Sequence, residues 1–225
     1  MKSLSAQLQR NRSFFQGFVL MLIGGLFFLL IQGKAAAFIS LNAWHPSWLN
    51  IFFVNYTFMG DGIFALCLIT LYLFYFKKKE QGLAMLYAFL VSGIAVQLIK
   101  NMVNAPRPQL FFEQGQYLHF INNVTLSNNS SFPSGHTATA FALATVMILL
   151  MKNTRLQLIV LLGAALVGYS RIYLAQHFLA DVLVGACIGI ISGLSAYAMV
   201  KTRIRWRKFS RTNVGYQRHE NMAYY

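Results

Sequence analysis

Residues 170–181 read S-R-I-Y-L-A-Q-H-F-L-A-D, a polar interruption in a chain that is otherwise mostly hydrocarbon. The stretch ends on Asp181, and the only other aspartate in the sequence is Asp61. With a helix from His177 onward, four-residue spacing sets the His177 imidazole above the Asp181 carboxylate on one face. A carboxylate on one ring nitrogen fixes the tautomer and leaves the other nitrogen free to attack. Arg171 adds a cation six residues earlier. Taken alone, the pair reads equally well as two polar groups that satisfy each other inside an apolar bundle.

The rest of the chain decides between these readings. Of its 225 residues, 57% are hydrophobic and only 11% charged, well outside the range of soluble globular domains. The composition is that of a membrane protein. A net charge of +14 would suit a nucleic-acid partner, but the basic residues lie between apolar runs and form no continuous face, which excludes that class. Cys67 and Cys187 each fall in an apolar segment and read as packed thiols.

Six apolar segments are long enough to cross a bilayer: about 14–31, 51–76, 82–99, 135–151, 156–174 and 178–200. Irregular backbone and open sheet edges cannot face lipid, so the expected fold is all-α, one six-helix membrane domain over 1–225. The first segment resembles a signal peptide but is longer than a usual apolar h-region, and is expected to be retained. With a cytoplasmic amino terminus, every lysine and arginine falls on the inner side except Lys34, Lys100, Arg107 and Arg171. That is the positive-inside bias of an N-in, C-in protein. Residues 201–225 are then a basic cytoplasmic tail, read as a topology anchor.

Counting crossings brings four helix ends to one surface, the outer or extracytoplasmic one. Lys100 ends the third span, Ser134, Gly135 and His136 open the fourth, Arg171 ends the fifth, and His177 and Asp181 open the sixth. Lys100, Arg107 and Arg171 offer three cations to an anion, and an arginine fork matches phosphoryl oxygens. Ser134 and Gly135 at a helix start add a hydroxyl, unpaired N–H groups and the positive end of the dipole. These parts fit phosphoryl transfer, with His177 attacking phosphorus, the cations holding the equatorial oxygens and His136 protonating the leaving group.

Lys100-x6-Arg107-Pro108, Pro133-Ser134-Gly135-His136 and Ser170-Arg171-x5-His177-x3-Asp181 resemble, without departure, the three-part signature of the type-2 phosphatidic acid phosphatase superfamily. Vanadium haloperoxidases and bacterial non-specific acid phosphatases share that signature. The resemblance covers residues 100–181 in detail and the six-helix layout loosely. It implies His177 as nucleophile, Asp181 as its partner, His136 as acid, and Lys100, Arg107, Ser134, Gly135 and Arg171 as phosphate ligands. It also implies no metal requirement for the membrane enzymes, and no cofactor is expected.

An amphiphilic substrate explains why the site sits in a bundle, since a lipid can present its headgroup at a helix end. The expected partners are therefore a lipid phosphate and the bilayer, in a plasma membrane of bacterial inner-membrane type. Polyprenyl diphosphates, phosphatidylglycerol phosphate, phosphatidic acid and lipid A phosphates all fit, with a lean to undecaprenyl diphosphate. A phosphotransferase using the same site, a transporter and a metal site on His136, His177 and Asp181 are the competing readings. Three neighbouring cations oppose the last.

Three further features carry expectations. Asp61, in M-G-D-G, either approaches the site, binds a cation, or makes a helix-to-helix hydrogen bond with Asn55, Gln97 or a tyrosine, the last favoured. Gly185, Gly189 and Gly193 form a close-packing face. The long connection 101–132 is read as a short interfacial helix or lid, or as an aromatic belt, and His45, His119 and His219 as loop residues.

Overall fold

The computed structural model describes residues 4–112, 121, 130–150 and 154–222, with side chains at 154 and beyond 203 excepted. The described residues form helices joined by turns and irregular stretches and contain no strand. In order they form α1 (Leu4–Arg10), α2 (Arg12–Leu41), α3 (Ser47–Tyr56), a 3-10 turn (Thr57–Gly60) and α4 (Gly62–Thr70). A π-helical turn (Leu71–Tyr75) closes α4, and α5 (Lys79–Val103), α6 (Pro108–Phe111), α7 (Gly135–Leu150), α8 (Gln157–Tyr173) and α9 (Leu179–Met222) follow. Residues 113–120 and 122–129 of the long connection, His119 among them, lie outside the described residues, as do the side chains of the basic tail beyond residue 203.

Six helical units occupy the six apolar segments. α2, α5 and α9 are long and apolar enough to cross a bilayer, and α3 with α4 makes a fourth if the bent pair is one span. α7 and α8 are shorter apolar helices of 16 and 17 residues. The peripheral α2 turns Leu20, Phe27 and Leu30 outward, as a lipid-facing helix does.

Two expectations are corrected here. The second apolar segment is not one straight helix, because it bends by 57° between its halves. Asp61 is extended (φ −75°, ψ 151°) and caps α4 by accepting the Ile63 N–H. An aspartate between two glycines favours such an N-cap over a helix interior. The first segment, in turn, does not end near residue 31. α2 passes through a kink at Gly33, whose φ of 73° suits glycine, and continues to Leu41. Its extension carries Lys34 to the site end, where Nζ lies 4.0 Å from the Phe178 ring centre and 4.6 Å from that of Phe111.

α7 is the central element, buried from Thr137 through Val146. Its alternating alanines let neighbours approach, and the glycine face of α9 meets it as expected. A methyl group on Gly185 would lie 2.5 Å from the Ser134 carbonyl oxygen. On Gly189 it would lie 2.5 Å from that of Ala138, and on Gly193 2.5 Å from Thr145 Cβ. Small residues permit this backbone-to-backbone contact, which within lipid is what drives helices together. Because residue order rises together on both helices, α7 and α9 run parallel. Both therefore begin at the same end of the bundle.

α8 returns the other way and ends where α7 and α9 begin. At the opposite end, Arg10 Nη2 donates to the Leu149 carbonyl (3.2 Å) and Gln157 Nε2 donates to the Arg10 carbonyl (3.1 Å). The amino-terminal segment is thus clasped at the far end of the bundle from Ser134, Arg171 and Asp181.

Candidate active site

The turn after α8 decides the local geometry. Ala175 adopts the left-handed conformation (φ 53°). The Ala175 N–H donates to the Ile172 carbonyl (3.0 Å) and the Gln176 N–H to the Arg171 carbonyl (2.9 Å). This is the paired 5→2 and 6→1 pattern of a Schellman helix end. The next amide, His177 N–H, also donates to the Arg171 carbonyl (3.1 Å). The five residues between Arg171 and His177 are therefore the length of one helix-terminating turn, and they fold the imidazole back beside the arginine.

α9 starts at Leu179, so His177 precedes it and the simple picture of two side chains stacked along a helix needs correcting. Asp181 is the third residue of α9, and its Oδ2 accepts the backbone N–H of Phe178 (2.9 Å), half of a capping box. The same oxygen accepts from Ser131 Oγ (2.5 Å) and lies 3.5 Å from His177 Nδ1. The pair is together, by way of the cap. His177 is 2% exposed and Asp181 3% exposed, so neither charge is solvated by bulk water. Burial drives the His177 pKa down, opposed by the hydrogen bond to Asp181 and assisted by the charge of Arg171. The neutral imidazole is the form favoured at the site.

The start of α7 abuts this turn. The Ser134 N–H donates to the Asp181 carbonyl (3.0 Å), tying the first turns of α7 and α9 together. Ser134 Oγ contacts Thr137 Oγ1 (2.8 Å) and accepts the Thr137 N–H (3.4 Å), as an N-cap does. The hydroxyl is thus engaged with its own helix. Gly135 and His136 fill the first two helical positions, whose N–H groups have no intrahelical acceptor.

The three cations arrive from three directions. Lys100, in the last turn of α5, donates from Nζ to the Ser130 carbonyl (2.8 Å). Arg107, at the N-cap of α6, donates from Nη1 to Gln176 Oε1 (2.6 Å). Arg171 is 8% exposed and donates from Nη1 to Thr57 Oγ1 (2.6 Å), while its Nε has no hydrogen-bond partner among the described residues. A buried guanidinium N–H without an acceptor is costly unless an anion completes it. His136 lies within electrostatic reach of Lys100, Arg107, Arg171 and His177 alike. Every residue singled out in the sequence as a site candidate therefore reaches one end of the bundle.

A profile of the PAP2 superfamily matches residues 81–205, which span that whole constellation. The chain belongs to the PAP2 superfamily. Among its PAP2 relatives is phosphatidylglycerophosphatase B of Bacillus subtilis, 30% identical over 156 residues that cover 64% of this chain and 71% of that protein. Lipid A 4'-phosphatase of Porphyromonas gingivalis is 27% identical, covering 79% of this chain and 77% of that protein. The crystal structure of LpxE from Aquifex aeolicus superposes with a TM-score of 0.64 at 32% identity, over 72% of this chain and 93% of that one.

Four site neighbours in this PAP2 protein carry no signal in the signature itself. Thr57 holds Arg171, Gln176 holds Arg107, and Ser131 holds Asp181. Asp61 Oδ2 lies 3.7 Å from His136 Nε2, whereas Asn55 bonds within its own helix to the Ile51 carbonyl and Gln97 bonds Asn101. The interhelical partners favoured for Asp61 in the sequence are thus replaced by a site histidine. Ser131 and Gln176 were findable as polar residues adjoining the motifs. Thr57 was not, because nothing short of the fold brings the 3-10 turn after α3 to Arg171, and for Asp61 the approach to the site was the less favoured of its sequence readings.

Proposed function

We propose that this chain is an integral membrane lipid phosphatase that hydrolyses a phosphomonoester or diphosphate of a lipid through a phosphohistidine on His177. The observation that carries the reading is the convergence of Lys100, Arg107 and the incompletely bonded Arg171 around a buried His177 that Asp181 adjoins. The cations neutralise charge on the equatorial oxygens, with the first N–H groups of α7, at Gly135 and His136, aimed at the same anion. Ser134 supports the phosphate by fixing that helix start. His177 forms a bond to phosphorus as the bond to the leaving oxygen breaks, and His136 gives that oxygen its proton. Water then takes the phosphoryl group and His177 is regenerated. No step calls for a metal, since the charge a divalent ion would supply is already present on three side chains.

Two apolar grooves support a lipid substrate. One of about 340 Å³ is lined by Tyr56, Met59, Phe64, Leu143, Val160 and Val167. Another, of about 350 Å³, lies between α2, α8 and α9. Both can lodge hydrocarbon while the headgroup stays at the helix ends. Six crossings, with both termini cytoplasmic and the site facing the exterior of a bacterial inner membrane, fit the distribution of lysine and arginine. Two of the relatives are by name a phosphatidylglycerophosphatase and a lipid A 4'-phosphatase, which supports membrane phosphomonoesters beside undecaprenyl diphosphate as substrate classes to test.

The test is phosphate release in detergent from a panel of those purified lipids and phosphatidic acid, with and without vanadate or a chelator. Release from at least one lipid, blocked by vanadate and unaffected by the chelator, is the expected result. Absence of release from every lipid, or loss of activity with the chelator, contradicts the reading.

A further inference from the structure

The break in the second helical unit is built against the acid of the site. Gly60 packs so closely that a methyl group there would lie 2.8 Å from the His136 carbonyl oxygen and 2.9 Å from its Cβ. One residue on, Asp61 spends Oδ1 on the Ile63 N–H (2.7 Å) and leaves Oδ2 3.7 Å from His136 Nε2. The two side chains are 37% and 31% exposed, so both remain accessible from the helix-end surface. Thr57, one turn earlier, grips Arg171. The 57° bend is thus what lets one short segment touch both a phosphate-binding cation and the acid histidine.

We propose that Asp61 is a positioning residue for His136, holding its imidazolium so that the opposite ring nitrogen delivers the proton to the leaving group. The inference rests on the phosphatase reading, in which His136 is the acid. The surroundings of His136 are otherwise cationic or titratable: Lys100 from α5, Arg107 before α6, Arg171 from α8 and His177 before α9. Burial and each of these charges oppose a charged imidazole, and among the described residues Asp61 is the carboxylate at ion-pair distance that favours it. At 3.7 Å the contact is longer than a hydrogen bond, and such contacts tighten when substrate binds. In the step itself the His136 N–H bond breaks as an O–H bond forms on the leaving oxygen. The phosphorus bond to that oxygen passes to His177. His136 is left neutral, its remaining N–H directed at Asp61.

Asp61→Asn removes the charge and keeps the cap, because asparagine also caps helices and retains an oxygen for the Ile63 N–H. Two substrates are compared: a dialkylglycerol phosphate, whose alkoxide needs a proton to leave, and p-nitrophenyl phosphate, whose phenolate does not. With the lipid, Asp61→Asn is expected to lower kcat roughly 10- to 100-fold, as loss of a charge-assisted contact does. The basic limb of its pH profile should move down by roughly one unit or more. With p-nitrophenyl phosphate the loss should be within about three-fold, and in a His136→Ala background Asp61→Asn should add nothing further with either substrate. Equal losses with both substrates, or an additive loss on top of His136→Ala, would overturn the proposal as a general structural effect. If His136→Ala itself shows no dependence on the leaving group, the acid assignment fails and takes this inference with it. If that dependence is present but Asp61→Asn behaves as wild type, only the inference about Asp61 falls.

Discussion

The His177 amide donates to the carbonyl oxygen of Arg171 at 3.1 Å, so the proposed nucleophile and the proposed phosphate-binding cation are joined through the backbone of a single turn. Lengthening or shortening the stretch between them would move the imidazole away from the guanidinium, even with both side chains retained. His177→Ala leaves that turn intact, because the bond is made by the main chain. It should abolish phosphate release, by roughly four orders of magnitude or more, while thermal unfolding in detergent stays close to wild type.

The pH dependence follows from the burial of His177. Its pKa is pushed below the ordinary histidine value of about 6.5, and attack requires the neutral ring. Activity should therefore persist as pH falls through 6.5 and be lost only as pH passes the lowered value. The same shift makes the folded state bind fewer protons than the unfolded chain in that interval, so this group's contribution to stability also declines with falling pH. A kcat/KM profile whose acid limb sits at or above about 6.5 would contradict the assignment.

In the proposed mechanism Ser131 positions Asp181, since its Oγ donates to the carboxylate oxygen that faces His177. Ser131→Ala removes a hydrogen bond to a charged group, worth about 1.5–3 kcal/mol, which corresponds to a roughly 10- to 100-fold fall in kcat. KM should change little, because no phosphate ligand is lost. A rise in KM with unchanged kcat would place Ser131 in substrate binding instead.

Thr57 supplies the acceptor for Arg171 Nη1. Thr57→Val keeps the shape and leaves a second guanidinium donor unsatisfied, so vanadate inhibition should weaken roughly ten-fold. Unaltered vanadate affinity would show that Arg171 is oriented without Thr57.

The glycine face of α9 gives a stability prediction with an internal control. Gly189→Ala drives a methyl group into the Ala138 carbonyl and Phe141 Cβ, and overpacking of this kind costs about 1–3 kcal/mol, read as a fall in Tm. Gly24→Ala, on α2, meets nothing within 4 Å and should be neutral or slightly stabilising. Equal behaviour of the two variants would mean that α9 does not approach α7 as closely as described.

Much of this arrangement was legible in the chain because lipid leaves few choices. An apolar run of 20 residues becomes a helix, helices alternate in direction, and so Lys100, Ser134, Arg171 and Asp181 had to share an end. The glycine spacing likewise announced a packing face. What the sequence withheld were features set by main-chain turns. Residues 51–76 have the hydropathy of one span, and the N-cap at Asp61 competes with helix continuation on terms that hydropathy ignores. The extension of α2 past Gly33 was hidden for a related reason, since a lysine next to a glycine reads as a helix end. Phe111 and Phe178, distant in sequence, offer their rings to that lysine. His177 shows the same limit, because its nearness to Asp181 depends on where α9 begins.

The most direct measurement is rapid acid-free quenching of the enzyme during turnover of a lipid carrying radioactive phosphate, followed by peptide mapping under alkaline conditions that preserve phosphohistidine. The label should appear on His177, accumulate more when hydrolysis is slowed, and be missing from His177→Ala. Turnover without any protein-bound phosphate, or label on a different residue, would contradict the mechanism.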